Sequence, residues 1–224
     1  MDNFKKIVRI IIIILSFISF SSHHKLFSGE KYDQNLQYSN SFTEAENYRK
    51  SGEFDKSIQF LKKSLYIAKQ INDKKKECES LIKLGLLYWN TGNLKESYLY
   101  YKKAQEIAQK INLKTEEEKI NISLEIYRTY EDGKKFRDLG EYHKSIASFR
   151  EAIDLAGKIG SKEHEVKCRR QLSLTHFEMD NLKEFHSLNE ISSIIANDLN
   201  HKKEKERCLI NIGLYYWKIH DYSK

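Results

Sequence analysis

Proline is absent from the 224 residues and glycine occurs only nine times. Nothing therefore interrupts long helical stretches from within, and nothing marks a β-rich region or a second globular domain. Catalytic signatures are missing too. The chain has no phosphate-binding loop, no dinucleotide fingerprint, no H-E-x-x-H, and no serine or cysteine in a nucleophile context, which removes the enzyme classes built on those motifs and the cofactors they hold. Its eight histidines do not pair at ligand spacing; His23-His24 is a weak metal candidate for which a solvated dipeptide is the plainer reading. Cysteine is scarce, with Cys78, Cys168 and Cys208 each at or near the start of an expected helix. Packed helix axes lie about 8–10 Å apart, too far for a relaxed disulfide, so buried free thiols are expected. The net charge of +7 comes from lysines and glutamates mixed along the chain. Without a concentrated basic stripe or a base-stacking motif, it reads as a solvated surface and not as a nucleic-acid site.

What the sequence does contain is a pattern that returns. In Leu81–Ala104, Leu81, Leu84, Gly85 and Tyr88 fall at i, i+3, i+4 and i+7, one stripe of a helix. A glycine inside a helix costs roughly 1 kcal/mol relative to alanine, so Gly85 points to a neighbour at close range. Thr91-Gly92-Asn93 breaks the pattern, and a second stripe follows with Leu94, Ser97, Tyr98, Tyr101 and Ala104. The stretch reads as two helices joined by a tight turn.

This arrangement resembles the tetratricopeptide repeat, with Leu81, Leu84, Gly85 and Tyr88 at the helix A positions, Gly92 at the turn, and Ser97, Tyr101 and Ala104 at the helix B positions. The resemblance implies an all-α fold, an α-solenoid of antiparallel helix hairpins in a right-handed superhelix. The phase can be followed along the chain. Turns inside hairpins are expected at Gly52, Gly92, Gly140, Asp180 and His220-Asp221, and helix closures between hairpins at Asn72, Asn112, Gly160 and Asn200, residues that tolerate the left-handed conformation. Units are expected at about 41–73, 74–113, 115–160, 161–200 and an incomplete 201–224. The repeat is about 40 residues, longer than the common 34-residue form. Between Gly92 and Gly140 lie about eight extra residues, predicting one long helix capped at Thr115 and a kink near Asp132-Gly133 or a change of superhelix twist.

Residues 1–21 differ in kind. Lys5, Lys6 and Arg9 precede the run Ile10–Leu15, and Ser19 and Ser21 stand where small residues precede a cleavage site. This reads as a secretory signal and predicts an exported, periplasmic or extracellular protein. The alternative is an uncleaved membrane anchor, although the run is short of the roughly 20 apolar residues that a span requires. Residues 22–40 are polar and aperiodic and read as a flexible spacer, with the first helix starting near Phe42 behind the capping box Ser41-x-x-Glu44.

In the family, partner peptides bind the inner wall lined by helix A residues. Carried onto this sequence, one wall position reads Arg49, Trp89, Arg137, Phe177 and Trp217, with Arg170, Lys167, Arg207, Lys83 and Lys134 beside it. Aromatic and arginine side chains are enriched at binding hot spots. The expected partner-binding set is therefore Arg49, Trp89, Arg137, Arg170, Phe177 and Trp217, and the alternative is that the two tryptophans pack between helices. The family's carboxylate clamp is not supported, because Glu46, Leu86, Lys134, Leu174 and Leu214 occupy its positions at one level. Two functions follow from the resemblance. One is a non-catalytic scaffold holding a peptide or protein segment. The other is the sensor or adaptor part of a larger signalling enzyme, since long-repeat arrays resemble the N-terminal regions of bacterial histidine kinases and CHAT proteases. The last unit sharpens that choice: Leu209, Ile212, Gly213 and Tyr216 repeat helix A, but no helix B follows. Either a longer parent protein or a terminal helix acting as its own cap would account for this.

Overall fold

The computed structural model describes residues 32–221. The expected signal, His23-His24 and the first part of the expected spacer lie outside the described residues. Among the described residues the chain forms nine helices and no strand. Helix α1 spans 32–50, followed by α2 (Phe54–Gln70), α3 (Lys74–Thr91), α4 (Leu94–Lys110) and α5 (Lys114–Asp138). The remaining helices are α6 (Tyr142–Lys158), α7 (Lys162–Glu178), α8 (Leu182–Asp198) and α9 (Lys202–Asp221). Each helix packs against the one before it and the one after it, giving a solenoid of antiparallel hairpins. The odd-numbered helices are the A helices and the even-numbered ones the B helices.

The turns set the phase. Left-handed residues occur at 52, 92, 140 and 180 inside the hairpins and at 72, 112, 160 and 200 between them, so both series step by 40, 48 and 40. All eight turns close in the same way. At Gly52, for example, its N–H reaches the Arg49 carbonyl at 3.1 Å and the Glu53 N–H reaches the Tyr48 carbonyl at 2.8 Å, the paired bonds that satisfy the last carbonyls of a helix. The eight extra residues lie within α5, which has 25 residues against 18 in α3 and 17 in α7.

Several boundaries differ from the sequence reading. The helix expected to begin near Phe42 starts ten residues earlier, and Ser41 is buried within it, not capping it. Residues 32–40 are therefore helix and not spacer. Tyr38 anchors them: its hydroxyl lies 3.2 Å from the Lys76 carbonyl and 3.3 Å from Ser80 Oγ, and its ring stacks on Phe42 at 5.7 Å. One buried ring carries this turn, so no apolar period announces it. Helix α5 begins at Lys114 with Leu113 as N-cap, and Thr115 lies inside it. It is unbroken at Gly133, whose role is packing, since a Cβ there would sit 2.8 Å from the Phe149 ring. Helix α9 runs through His220 and Asp221, where a turn is expected.

The core is a row of clusters along the stack. Ala45, Leu61, Leu84 and Leu87 join α1, α2 and α3. Cys78, Leu81, Tyr101, Ala104, Ile120 and Leu124 join α3, α4 and α5. A third cluster of Ile126, Tyr130, Phe149, Leu172 and Leu188 from α5 to α8 also includes Trp89 of α3, which reaches past its own hairpin. The three cysteines are free and buried, as expected. Burial pushes the Cys78 thiol up to about 11 and the Cys208 thiol to about 12, which keeps both protonated and unreactive at neutral pH.

Candidate interaction surface

The predicted wall residues all lie on A helices, and most of them are already engaged within the chain. Trp89 is completely buried. Its ring meets Tyr130 edge-on at 4.9 Å and His164 at 4.7 Å, and its Nε1 donates to the Glu163 carbonyl at 3.2 Å. The expectation that Trp89 contacts a partner is thus corrected: it is the core residue that ties α3 to α5 and α7. Arg49 donates to Glu46 and Glu163, both at 3.1 Å. Arg137 reaches the side chain of Gln171 at 2.7 Å and its carbonyl at 3.3 Å. Arg170 pairs with the buried carboxylate of Glu204. Phe177 is half-buried against Phe185 at 4.8 Å, with Lys218 Nζ 4.7 Å from its ring centre. Trp217 is 64% exposed.

These contacts join parts of the chain that the repeat pattern keeps apart. Glu163 of α7 receives Arg49 from α1 and Trp89 from α3. Lys167 of α7 donates to the Trp89 carbonyl. His201, at the start of α9, lies 3.1 Å from the Asn90 carbonyl and packs edge-on against Phe54 at 4.7 Å. Asn200 Nδ2 donates to the Lys50 carbonyl at 2.9 Å. At Gly52 this approach is so close that a Cβ would collide with the Asn200 carbonyl oxygen. The first two hairpins therefore touch the fourth hairpin and the helix after it. An open cleft of about 590 Å³ remains beside this joint, lined by residues that include Phe54, Asn90, His201 and Lys202.

Ionisable groups are sealed into the joint. Burial, with Lys167 nearby, pushes His164 down to about 3, so the ring is neutral at ordinary pH. Its Nδ1 faces Ser161 Oγ at 2.7 Å, while Nε2 is buried without a protein partner. Burial likewise lowers Lys167 to about 7, against the opposing pull of Glu204. Burial alone would raise the Glu204 carboxyl, but Arg170, Lys167 and Arg207 outweigh it and hold the group below its ordinary value. Buried charges persist where partners of opposite sign surround them. Among the described residues, no group of three or more His, Cys, Asp or Glu side chains is placed to hold a metal ion. No described helix is long and apolar enough to cross a membrane.

The sequence reading misses this joint. The available signal is in α7, where His164, Glu165, Val166, Lys167 and Cys168 are buried in succession. A charged run of that kind reads from sequence as a solvated face.

Tetratricopeptide repeat models match residues 39–110 and 136–159. No curated protein matches the sequence. Among solved structures, a Rap protein complexed with competence and sporulation factor is similar at 15% identity, over 84% of this chain and 50% of that one, with a TM-score of 0.50. The Rap conjugation gene regulator of the plasmid pLS20, in complex with the Phr* peptide, is similar at 17% identity, over 88% of this chain and 57% of that one, also with a TM-score of 0.50. At these identities the likeness is one of fold, and the chain spans about half the length of either structure. Tetratricopeptide repeats are thus matched in two places of the chain, and one turn geometry recurs along its helices from α1 to α9.

Proposed function

We propose that the chain is a non-catalytic scaffold that holds a peptide or protein segment against its A helices. The observation that carries this is the stretch of wall formed by Arg137 and Phe177. Arg137 of α5 is oriented by Gln171, with Glu178 3.7 Å away, and at the equivalent position of α7 the half-buried Phe177 ring has Lys218 over it. An oriented guanidinium and an aromatic ring on successive A helices suit a carboxylate or a backbone carbonyl and an apolar side chain of one segment. The complex of the similar pLS20 regulator with the Phr* peptide makes a peptide the first class of partner to test. Arg49 and Arg170, whose charges are matched internally, position neighbouring helices in this reading, and Trp89 leaves the contact set. With residues 1–21 read as an export signal, the partner is sought outside the cytoplasm.

The test is capture from the native envelope fraction by the full-length chain, with Arg137→Gln combined with Phe177→Ala as control. A partner bound by the parent chain and lost at least tenfold by the variant, at unchanged helicity, supports the reading. Equal capture by both chains, or none by either, overturns it.

A further inference from the structure

Helices α4 and α5 meet in one antiparallel register at the joint between the second and third hairpins. Gln109 reaches Glu117 at 3.0 Å, Gln105 reaches Asn121 at 2.5 Å, and the rings of Tyr98 and Tyr127 lie 4.9 Å apart. Between the amide pair and the ring pair the two helices leave a cleft of about 360 Å³, lined by Tyr98, Lys102 and Gln105 of α4 and by Asn121, Leu124 and Arg128 of α5. These residues form one stripe on each helix, spaced by three or four positions. Leu124, at the floor, is buried.

Among the described residues no carboxylate lines the cleft, and its amide oxygens are engaged within it. Lys102 Nζ donates to Gln105 Oε1 at 2.9 Å. Lysine can only donate, so this bond fixes the orientation of the Gln105 amide, whose Nε2 then donates to Asn121 Oδ1. The groups left over are donors: the other Lys102 N–H bonds, Asn121 Nδ2 and the Arg128 guanidinium. Arg128 makes no hydrogen bond or ion pair among the described residues. Elsewhere a lysine at the same spacing meets a glutamate, as Lys74 meets Glu77 at 2.8 Å and Lys162 meets Glu165 at 2.7 Å. At 105 the partner is neutral, so the charge of Lys102 is not cancelled.

We infer that this cleft binds an oxyanion, a carboxylate or phosphate group, held by Arg128 and Lys102 from opposite walls with Asn121 Nδ2 as a neutral donor. The guanidinium offers a fork to two oxygens of one group, and the ammonium adds a point charge. A concave site lined by one sign of charge over an apolar floor concentrates its field on an anion. Arg137 and Phe177 take no part in it, so the inference does not rest on the scaffold reading.

The experiment is an NMR titration of the isotope-labelled full-length chain with inorganic phosphate and, separately, with succinate, at one pH and one ionic strength. The N–H resonances of Lys102, Gln105, Asn121 and Arg128 are followed. The expected result is a set of saturable shifts centred on these residues. Saturation at lower phosphate concentration assigns a phosphoryl ligand, and saturation at lower succinate concentration a carboxylate. Lys102→Gln combined with Arg128→Gln weakens binding about tenfold or more at unchanged helicity. Gln105→Glu, which gives Lys102 a carboxylate of nearly the same shape, weakens it as well. Shifts that grow linearly with both ions and never saturate overturn the inference, and so does binding indifferent to the double variant. The Arg137→Gln/Phe177→Ala variant binds either ion as the parent chain does, so the two readings fail separately.

Discussion

Helices α3 and α9 carry nearly the same face and meet opposite fates. In α3, Leu81, Leu84 and Trp89 are buried to within a few per cent, and the Tyr101 ring is pressed against Gly85. In α9 the equivalent Leu209 and Trp217 are 49% and 64% exposed, Ile212 is half-buried, and nothing lies within 4 Å of a Cβ built at Gly213. An A helix cannot bury its own stripe. Burial of Trp89 requires α5 and α7, and burial at Gly85 requires α4. The pattern in one helix states which side needs a neighbour, and the neighbours decide whether that side becomes core or surface.

The largest test of this contrast is a pair of tryptophan truncations. Trp89→Ala removes a fully buried ring and the bond to the Glu163 carbonyl, and is expected to cost about 3–5 kcal/mol of unfolding free energy. Trp217→Ala, measured in urea in the same way, is expected to change it by less than about 0.5 kcal/mol. Equal losses would mean that α9 is packed like α3 and would remove the contrast.

Acid should act on the surroundings of Trp89 through His164. The folded value of about 3 lies below the ordinary 6.5, so this histidine's contribution is fully present above pH 6.5 and is lost as pH falls from 6.5 toward 3. Burial lowers His176 and His201 as well, and both act in the same direction. Below about 4.5 the lowered carboxylates Glu46, Glu165 and Glu204 add to the loss. Urea midpoints measured between pH 7 and pH 4.5 should therefore fall, and His164→Phe, which keeps a ring against Trp89, should flatten that fall. An unchanged slope in His164→Phe would show that His164 is not held neutral. Helix α9 offers no ring pair of this kind around Trp217, so its emission should follow pH only through global unfolding.

Much of the architecture was legible because it is local. Asn72, Asn112, Gly160 and Asn200 announce helix ends through their tolerance of positive φ, and all four adopt it. The long α5 follows from counting residues between Gly92 and Gly140. The thiols were legible as free and buried because the A helices repeat at a fixed separation. The start of α1 was not legible, since a polar stretch there is anchored by contacts of Tyr38 and Asn35 with α3 that no apolar period announces. The wall was legible only as a set of positions. Whether Trp89 faces a partner or the core depends on α7 reaching back to α3, a contact between residues more than 70 apart that rests on the curvature of the whole stack. Curvature is the sum of small rotations at each joint, and no single motif encodes it.

The smallest effects come from the glycines, and they should differ in sign. At Gly85 and Gly133 an added methyl meets an aromatic ring at 3.0 and 2.8 Å, and each ring is confined by its own cluster. The expected overpacking cost is about 1–3 kcal/mol, against a gain of up to about 1 kcal/mol for alanine over glycine inside a helix. Gly85→Ala and Gly133→Ala should therefore destabilise, with Gly133 the more sensitive because its contact is closer. At Gly213 nothing opposes the methyl, so only the propensity gain remains and Gly213→Ala should raise stability by up to about 1 kcal/mol. Thermal melts of the three single variants would check the signs. Destabilisation at Gly213 would mean that something already lies against it, and the difference between α3 and α9 would then lie in what covers the glycine instead of whether it is covered.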